Sequence, residues 1–597
     1  MSTQLLADTK AERRARIEGI FQQRAEGKPW LEGIFDHQWR GACYGAVAKR
    51  WILGDEPGLG KTRTVTGWMD LIGARRIILF AEANVAGQFA DEIRELAPHR
   101  RVVALNGLSR DSRHSSIDDL PFLQQAVVVV NFEMFRRDRH ALAKLARWRA
   151  DTVIVDEAHN LKATKTGTFK DVQTVVFYDN TCRECKGPIE GLYDEQYWEE
   201  YGRKKTKPCP TCGWTKPSPS TEAASLSGYP HRLAKALSTK SVQNLALLTG
   251  TPILNNPGDL YALIHLIDPV AWPTFEGYKK LYLEQNYFTN RWEWKDGALE
   301  ALKSGLKGRF LQRKKADVFT RDDERGGWIL PNGGFLPDQS VQVIDVELDR
   351  KRYPLQYRTI RQITERAMIE LDSGEQANIM AIIAVMTRKR QANVWPGGIE
   401  IKDKDGEVLF SVGQEVQESA KIDALVDNVA HLWQQGARQV VFSHFTTALG
   451  ELEKRLVRKG LRVARLDGSV TKKYKDGVKE DFYLAKTPGR GRYDVVLAQY
   501  RSGGTGLNLT AATETHILDE EWSPGKKAQS YHRTFRIGQV SKTRVWVYRL
   551  RGTIDQWLAN LLDQKEEMIE AFEGSVTVTK SDLKNGLLEG MRDGSIL

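Results

Sequence analysis

Cysteine and long apolar runs are both scarce in this sequence. Its 597 residues include only five cysteines, which is too few for a disulfide scaffold. No apolar run reaches the roughly 18 residues that a transmembrane helix needs, so we expect no membrane partner. The amino-terminal stretch is charged throughout and lacks the apolar segment of a secretory signal. Together these absences predict a soluble protein, and the arrangement of four cysteines in two C-x-x-C pairs favours metal over disulfide and hence a reducing compartment.

Basic residues outnumber acidic ones by a modest margin. The chain has 88 lysines and arginines against 77 acidic residues, a formal net charge of +11. This excess suits a polyanion partner but is mild for the length of the chain. With 41% hydrophobic and 28% charged residues, the composition is typical of a globular protein, and the length indicates about three to five structural units.

A glycine-rich turn separates a predicted strand from a predicted helix near the start of the chain. It reads Gly-Asp-Glu-Pro-Gly-Leu-Gly-Lys-Thr at residues 54–62. Backbone N–H groups of such a turn bind phosphate, helped by the helix dipole. Lys61 would reach the β- and γ-phosphates, and the Thr62 hydroxyl would bind Mg²⁺. Asp55 stands where the usual pattern has its first glycine, so the match is imperfect.

Apolar strands and helical segments alternate after this turn. Continuous β-branched runs such as residues 126–130 and 152–155 indicate a parallel sheet covered on both faces. Ligands gather at the carboxyl ends of such strands, and the polar motifs lie there. Asp156 is placed to hold Mg²⁺, and Glu157 to orient or deprotonate an attacking water.

Other polar groups are placed to support this site. The Gln38 amide can both donate and accept, so it can read an adenine edge. Thr249, Gly250 and Thr251 end a further strand and are expected to hydrogen-bond the acidic motif. A second strand–helix series begins after Lys421.

A basic motif follows the later strands of this second series. Arg533 and Arg536 are three residues apart, so on a helix they would share one face. Aimed at a nucleotide, they would neutralise charge that develops during phosphoryl transfer.

Taken in order, these segments resemble the motifs of Swi/Snf-type DNA-dependent ATPases in helicase superfamily 2. The likeness is of the DEAH-box type, covers roughly residues 30–572, and includes the highly specific Q-x-x-x-R-x-x-R-I-G-Q at residues 529–539. In that family the position of Asp55 is normally aspartate, which accounts for the imperfect pattern. The resemblance implies an α/β fold with two tandem RecA-like parallel-sheet lobes and helical protrusions. It also implies ATP with Mg²⁺ as ligands and double-stranded DNA as partner.

The motifs and the resemblance together assign roles to individual residues. Predicted catalytic residues are Lys61, Asp156, Glu157, Arg533 and Arg536. Predicted ATP-binding residues are Gln38, Asp55, Glu56, Gly58, Leu59, Gly60, Lys61, Thr62, Gly506 and Gln529. Predicted coupling residues are His159, Thr249, Gly250 and Thr251. Predicted DNA contacts, implied by the family alone, are Asn131, Phe132, Ser443, His444, Gly503, Gly504 and Thr505.

Four of the five cysteines form two C-x-x-C pairs. Cys182, Cys185, Cys209 and Cys212 give the spacing C-x2-C-x23-C-x2-C, in which two knuckles can hold one tetrahedral Zn²⁺. We therefore predict a structural zinc ribbon, inserted at about residues 178–216. Its basic flank would contact DNA or be merely solvated, and the module would offer a docking site for a protein partner. Cys43 is expected to be a small buried hydrophobe.

The predicted organisation has five parts. They are an amino-terminal helical segment (1–30), a RecA-like ATP-binding lobe (31–270), a helical protrusion and linker with a hairpin (271–418), a RecA-like carboxyl-terminal lobe (419–552), and a brace helix with a tail (553–597).

The main functional hypothesis is an ATP-dependent translocase that moves along double-stranded DNA and remodels what is bound there. One alternative is a helicase that separates DNA or RNA strands. Another is a scaffold in which the zinc module binds a partner and the ATPase only switches its state. The sequence has little beyond the motor, so we expect a cytoplasmic protein of a bacterium or of a phage-infected cell.

Overall fold

The protein forms two compact units. A computed structural model describes residues 10–83, 85–134, 138–161, 167–176, 242–250, 258–286, 291–372, 379–402, 407–413, 416, 418–483, 491–500, 508–521 and 524–560. The first unit comprises Met1–Asn286 and Trp292–Val318, and the second comprises Tyr287–Arg291 and Phe319–Leu597.

A seven-stranded parallel sheet forms the centre of the first unit. Its strands are β1 (Arg50–Leu53), β2 (Arg76–Ala81), β3 (Arg101–Ala104), β4 (Ala126–Asn131), β5 (Thr152–Val155), β6 (Asn244–Leu248) and β9 (Phe310–Leu311), in the spatial order β3-β4-β2-β5-β6-β1-β9. Every residue of β4 is buried, as expected for a strand covered on both faces. Carboxyl ends of all these strands therefore lie along one edge.

The helices of the first unit lie before, between and after these strands in the chain. They are α1 (Lys10–Ala25), α2 (Asp36–Ala48), α3 (Lys61–Leu71), α4 (Ala86–Leu96), α5 (Arg110–Asp118), α6 (Arg139–Trp148), α7 (Gly167–Val176), α8 (Asp259–Ile267), α9 (Phe275–Tyr282), α10 (Ala298–Gly305) and the single turn α11 (Lys315–Val318). A short hairpin of β7 (Leu283–Asn286) and β8 (Arg291–Trp294) follows α9. Trp30, Trp51 and Trp68 are fully buried in the core between α2, α3 and the sheet.

The second unit contains a six-stranded parallel sheet. Its strands are β13 (Gln339–Val346), β16 (Gln439–Ser443), β17 (Val463–Leu466), β18 (Val495–Gln499), β19 (Glu514–Ile517) and β20 (Thr543–Leu550), in the order β13-β20-β19-β16-β18-β17. Alternate residues face two cores: Val441 and Leu497 point into one, Val440 and Val496 into the other. The predicted α/β class with two parallel-sheet lobes is therefore confirmed.

The remaining elements of the second unit lie before and between these strands. Its helices are α12 (Pro354–Asp372), α13 (Ile379–Val394), α14 (Ala420–Gln434), α15 (Thr446–Arg458), α16 (Lys472–Asp481) and α17 (Pro524–Tyr531). Small antiparallel sheets are formed by β10 (Thr320–Asp322), β11 (Gly327–Ile329) and β12 (Phe335–Pro337), and by β14 (Glu400–Lys402) and β15 (Val408–Ser411).

Two strands from the predicted linker region join the central sheets, which was not foreseen. β9 adds only two residues to the edge of the first sheet, and β13 adds an edge strand to the second. β13 is mostly exposed at its centre, so its sequence lacks the continuous apolar run of a buried parallel strand. The predicted linker therefore contributes to both sheets.

Two predictions concern membrane-spanning helices and the zinc insert. Within the described ranges, no helix is long and apolar enough to cross a membrane. The whole of the predicted insert, with its four zinc-motif cysteines, lies outside the described residues.

A buried lysine is an unexpected feature of the second unit. Lys389 on α13 is fully buried, and within the described ranges its ammonium has no hydrogen-bond partner. Burial lowers its pKa to about 7. One turn later Asn393 donates to Asp555, which also pairs with Lys421 at 2.8 Å. Among the described residues, no hydrogen bond offsets the charge that Lys389 carries when it is protonated, whereas the groups one turn later are well paired.

We predict that Lys389→Met stabilises the second unit at neutral pH. The folded unit holds the lysine proton less tightly than the unfolded chain, so Lys389 destabilises the fold below pH 10.5, most strongly near pH 7 and below. Removing the charge should raise the free energy of unfolding by roughly 2–4 kcal/mol, with a smaller gain at pH 10. Chemical denaturation measures this, with the exposed neighbour change Arg388→Met as control. No gain in stability, or an equal gain in the control, would contradict the prediction.

Candidate nucleotide site

The glycine-rich turn is a tight loop between β1 and α3. Gly58 and Gly60 have φ values of 93° and 83°, a region that side chains disfavour. Gly60 directly precedes Lys61, the first residue of α3. A Cβ atom on Gly60 would lie 2.2 Å from Nε2 of Gln38. Glycine is therefore required there both by backbone conformation and by the lack of space.

Gln38 and His37 on α2 hold the far side of this loop. The Gln38 oxygen accepts from the N–H of Phe35 at 3.1 Å, and its Nε2 donates to the carbonyl of Leu59 at 3.0 Å. Nε2 of His37 lies 2.9 Å from the same carbonyl, and since a carbonyl only accepts, this nitrogen carries the hydrogen. Burial lowers the pKa of His37. The amide that we expected to read an adenine edge therefore binds the phosphate loop itself.

Asp55 and Glu56 direct their carboxylates away from the centre of the loop. Asp55 is fully buried and forms a bidentate ion pair with Arg313. Glu56 pairs with Lys315. These two predicted ATP-binding residues therefore contribute their backbone to the loop, while their side chains bind other parts of the first unit.

Lys61 and Thr62 lie in the first turn of α3. Nζ of Lys61 donates to the carbonyl of Asp55 at 2.8 Å, so its ammonium reaches back over the loop. Its positive charge also acts on Asp156 across the sheet edge. The phosphate loop and the acidic motif are thus close enough to serve one ligand.

The acidic motif follows β5 at the carboxyl edge of the sheet. Asp156 continues the strand by donating its N–H to the carbonyl of Phe80 at 2.8 Å, and Glu157 has a φ of 47°. Burial, with further contributions from Glu157 and Glu82, raises the pKa of Asp156 to about 8. A carboxylate beside a phosphate loop suits a divalent cation, although the described residues include no group of three or more His, Cys, Asp or Glu side chains placed to hold one. Asp156 and Thr62 are the residues that would hold Mg²⁺ there.

His159 joins the acidic motif to the strand beside it. Its Nδ1 lies 3.2 Å from Oε2 of Glu157 and 3.2 Å from Oγ1 of Thr249. Gly250 packs closely on the phosphate loop, because a Cβ there would lie 3.1 Å from the Pro57 ring. The hydrogen bond that we expected between the acidic and Thr-Gly-Thr motifs is present, while Thr251 lies outside the described residues.

Three predicted DNA contacts are buried, which contradicts a direct side-chain role. Asn131 accepts the N–H of Met134, and Phe132 stacks on Phe80 with ring centroids 6.0 Å apart. Ser443 is fully buried and donates to Asp519. These side chains shape the ends of β4 and β16, because residues that close a buried strand pack inward.

The other predicted DNA and ATP contacts are either partly exposed or not described by the structure. His444 is partly exposed, with Nε2 3.1 Å from Glu521. Gly503, Gly504, Thr505 and Gly506 lie outside the described residues, and the side chain of Gln529 is not described. The structure therefore leaves those assignments as predictions.

The two arginines of the last motif follow α17 and do not share a helix face. The helix ends at Tyr531, and the N–H of Arg533 bonds the carbonyl of Ser530 in a tight turn. Arg533 is buried, and Nε of Arg536 donates to the carbonyl of His532 at 2.8 Å. The Gln539 amide binds three carbonyls around this turn, which fixes its shape. Our helical interpretation of their spacing was wrong for this reason.

His37, Arg313 and Lys315 were missed as site residues. Their signal was indirect: two adjacent carboxylates inside a phosphate loop need cationic partners unless they face solvent. The spacing of residues does not identify which cations pair with these carboxylates, because Arg313 is 258 residues from Asp55.

Comparisons with known families agree with this geometry. A family model described as SNF2-related domain matches residues 37–183 and 203–397. A second model, described as helicase conserved C-terminal domain, matches residues 420–538. Together they include the phosphate loop, the acidic motif and the arginine turn.

Individual relatives are distant and longer. The mouse protein named DNA excision repair protein ERCC-6-like is 24% identical over 93% of this chain and 43% of its own length. ISWI chromatin-remodeling complex ATPase CHR11 of Arabidopsis thaliana is 22% identical over 91% of this chain and 43% of its own length. The chain thus spans less than half the length of these relatives.

A solved structure of a Sulfolobus solfataricus SWI2/SNF2 ATPase core in complex with dsDNA also matches. It is 18% identical and covers 94% of this chain and 97% of its own, with a TM-score of 0.36. The fold assignment rests on the two sheets themselves.

We predict that Gly60→Ala abolishes nucleotide binding while the protein stays folded. The added methyl would meet Gln38 at 2.2 Å and force the loop open. Gly73→Ala is the matched control, since Gly73 has a similar φ of 68° but open space around it, and it should cost only about 1 kcal/mol of stability. Titration with a fluorescent ATP analogue measures both. Wild-type affinity in Gly60→Ala would contradict the prediction.

Proposed function

The chain belongs to the SNF2-related family, and from that premise we propose that it is a DNA-dependent ATPase that translocates along double-stranded DNA. The observation that carries the proposal is the shared edge at which the phosphate loop meets Asp156 and Glu157. A phosphate cradle, a cation-binding carboxylate and a water-orienting carboxylate are the parts that ATP hydrolysis needs. Movement along DNA would remodel or displace what is bound to it.

Each residue of this edge has a proposed task. Lys61 binds the β- and γ-phosphates in place of the Asp55 carbonyl, and Asp156 with Thr62 holds the Mg²⁺ that accompanies ATP. Glu157 orients the water that attacks the γ-phosphate and takes its proton, giving ADP and inorganic phosphate. His159 links this event to Thr249, because its Nδ1 lies 3.2 Å from both Oε2 of Glu157 and Oγ1 of Thr249.

The arginine turn is assigned to the same reaction from its motif. Arg533 and Arg536 would neutralise negative charge on the transferring phosphoryl group. The tight turn after α17 holds their backbone in place through Gln539, and preorganised charge of this kind is effective in phosphoryl transfer.

Double-stranded DNA is the proposed partner. The matched relatives carry names that refer to DNA excision repair and chromatin remodelling, and the net charge of +11 favours a polyanion. Because Asn131, Phe132 and Ser443 are buried, we expect DNA to meet the main chain and exposed basic groups at these strand ends.

We predict that duplex DNA raises the rate of ATP hydrolysis more than single-stranded DNA or RNA does. Glu157→Gln should lower kcat about 100-fold while leaving ATP binding intact. The control Glu300→Gln removes an exposed carboxylate on α10 and should keep full activity. Steady-state phosphate release on each polymer measures both effects. Equal stimulation by RNA or single strands would contradict the translocase proposal, and strand separation on forked DNA would favour a helicase.

Cys182, Cys185, Cys209 and Cys212 are proposed to bind one structural Zn²⁺, on the basis of their spacing alone. We predict one zinc per wild-type chain and none in Cys209→Ala. Cys43→Ala is the control and should keep one zinc, because Cys43 belongs to neither pair. Elemental analysis of the purified protein measures this. Unchanged zinc in Cys209→Ala would contradict the ribbon.

A further inference from the structure

We propose that Arg313 and Lys315 are positioning residues that hold the phosphate loop in its binding shape and pass its nucleotide state to the chain that leaves the first unit. The inference rests on the proposed ATPase function and concerns the same site. Lys315 begins α11, the last turn of the first unit, which ends at Val318, and Arg313 lies two residues before it.

The backbone provides the first link. Residues 309–313 run parallel to β1 and continue beside the loop beyond the end of the strand. The N–H groups of Ile52, Gly54 and Glu56 donate to the carbonyls of Arg309, Leu311 and Arg313 at 2.7, 2.7 and 2.9 Å. Every second residue of the first half of the loop is therefore hydrogen-bonded to this segment. A shift of Gly54 or Glu56 must move residues 309–313 or break these bonds.

The pair between Asp55 and Arg313 provides the second link. Nε of Arg313 lies 2.9 Å from Oδ1 of Asp55, and Nη2 lies 2.5 Å from Oδ2. The remaining terminal nitrogen donates to the carbonyl of His37 on α2. One planar guanidinium thus binds the loop and the helix that carries Gln38. Lysine cannot reproduce this three-way contact, because its ammonium lacks the fork geometry.

The pair between Glu56 and Lys315 provides the third link. Oε1 of Glu56 lies 2.5 Å from the buried ammonium of Lys315, and Oε2 accepts the N–H of the same residue at 2.7 Å. Both carboxylate oxygens are therefore engaged by one residue. Lys315 begins α11, and the chain enters the second unit at Phe319. The loop is thus fixed to a point four residues before that entry.

Nucleotide binding would act on these contacts through Lys61. Its ammonium donates to the carbonyl of Asp55, whose side chain binds Arg313. When Lys61 turns to phosphate, it releases that carbonyl. The carboxylates of Asp55 and Glu56, which bind Arg313 and Lys315, then move with the loop. Nucleotide binding is in this way converted into a change at residues 313–318.

The test compares Lys315→Gln with Lys314→Gln. Both remove one positive charge, but Lys314 is exposed, and its hydrogen bonds to Asp317 are made by its backbone N–H and carbonyl. With saturating duplex DNA, Lys315→Gln should raise the KM for ATP at least about tenfold, with a smaller change in kcat. Lys314→Gln should behave as wild type. Arg313→Lys should recover part of the affinity that Arg313→Gln loses.

A second readout separates positioning from general destabilisation. Hydrogen exchange of residues 315–322, measured by mass spectrometry, should change on addition of a non-hydrolysable ATP analogue in wild type and in Lys314→Gln. The change should be absent in Lys315→Gln and in Glu56→Gln at analogue concentrations that saturate each variant. Persistence of the change in both variants, or a wild-type KM in Lys315→Gln, would overturn the inference. Failure of the wild type to hydrolyse ATP, with analogue binding and exchange coupling intact, would instead overturn the proposed function alone.

Discussion

A buried ion pair between Asp55 and Arg313 joins positions 258 residues apart and fixes the phosphate loop. An aspartate carboxylate with no exposed surface is costly unless it is paired and hydrogen-bonded. The bidentate guanidinium meets that requirement, and its third contact to the carbonyl of His37 fastens α2 to the same point. The loop is therefore held from both sides, by Gln38 on one and by residues 309–315 on the other. Its glycines supply conformations that these contacts then lock in place.

The acidic edge obeys a different constraint. Burial, with smaller contributions from Glu157 and Glu82, raises the pKa of Asp156 to about 8, so the ionised carboxylate is under electrostatic strain. Lys61 partly offsets that strain from the loop side. Because Lys61 also binds the Asp55 carbonyl, the acidic edge and the buried ion pair act on the same lysine. Nucleotide with Mg²⁺ would supply both a cation for the acidic edge and a phosphate partner for Lys61.

Local patterns in the sequence predicted the features that local physics determines. The runs at residues 126–130 and 152–155 are strands because only a buried parallel sheet accommodates continuous β-branched residues. Features set by distant packing were not predicted. β9 has two residues and no pattern of its own, Ser443 turns inward to meet Asp519, and α17 ends two residues before Arg533 because a tight turn replaces its last bonds.

The central claim is that the phosphate loop already has its binding shape because residues 309–313 hold it. Amide hydrogen exchange at Gly54 and Glu56, measured by NMR in the nucleotide-free protein, tests this most directly. Both N–H groups bond to carbonyls of that segment, so they should exchange slowly in the wild type and much faster in Arg313→Ala. Fast exchange at both positions in the wild type would contradict the account.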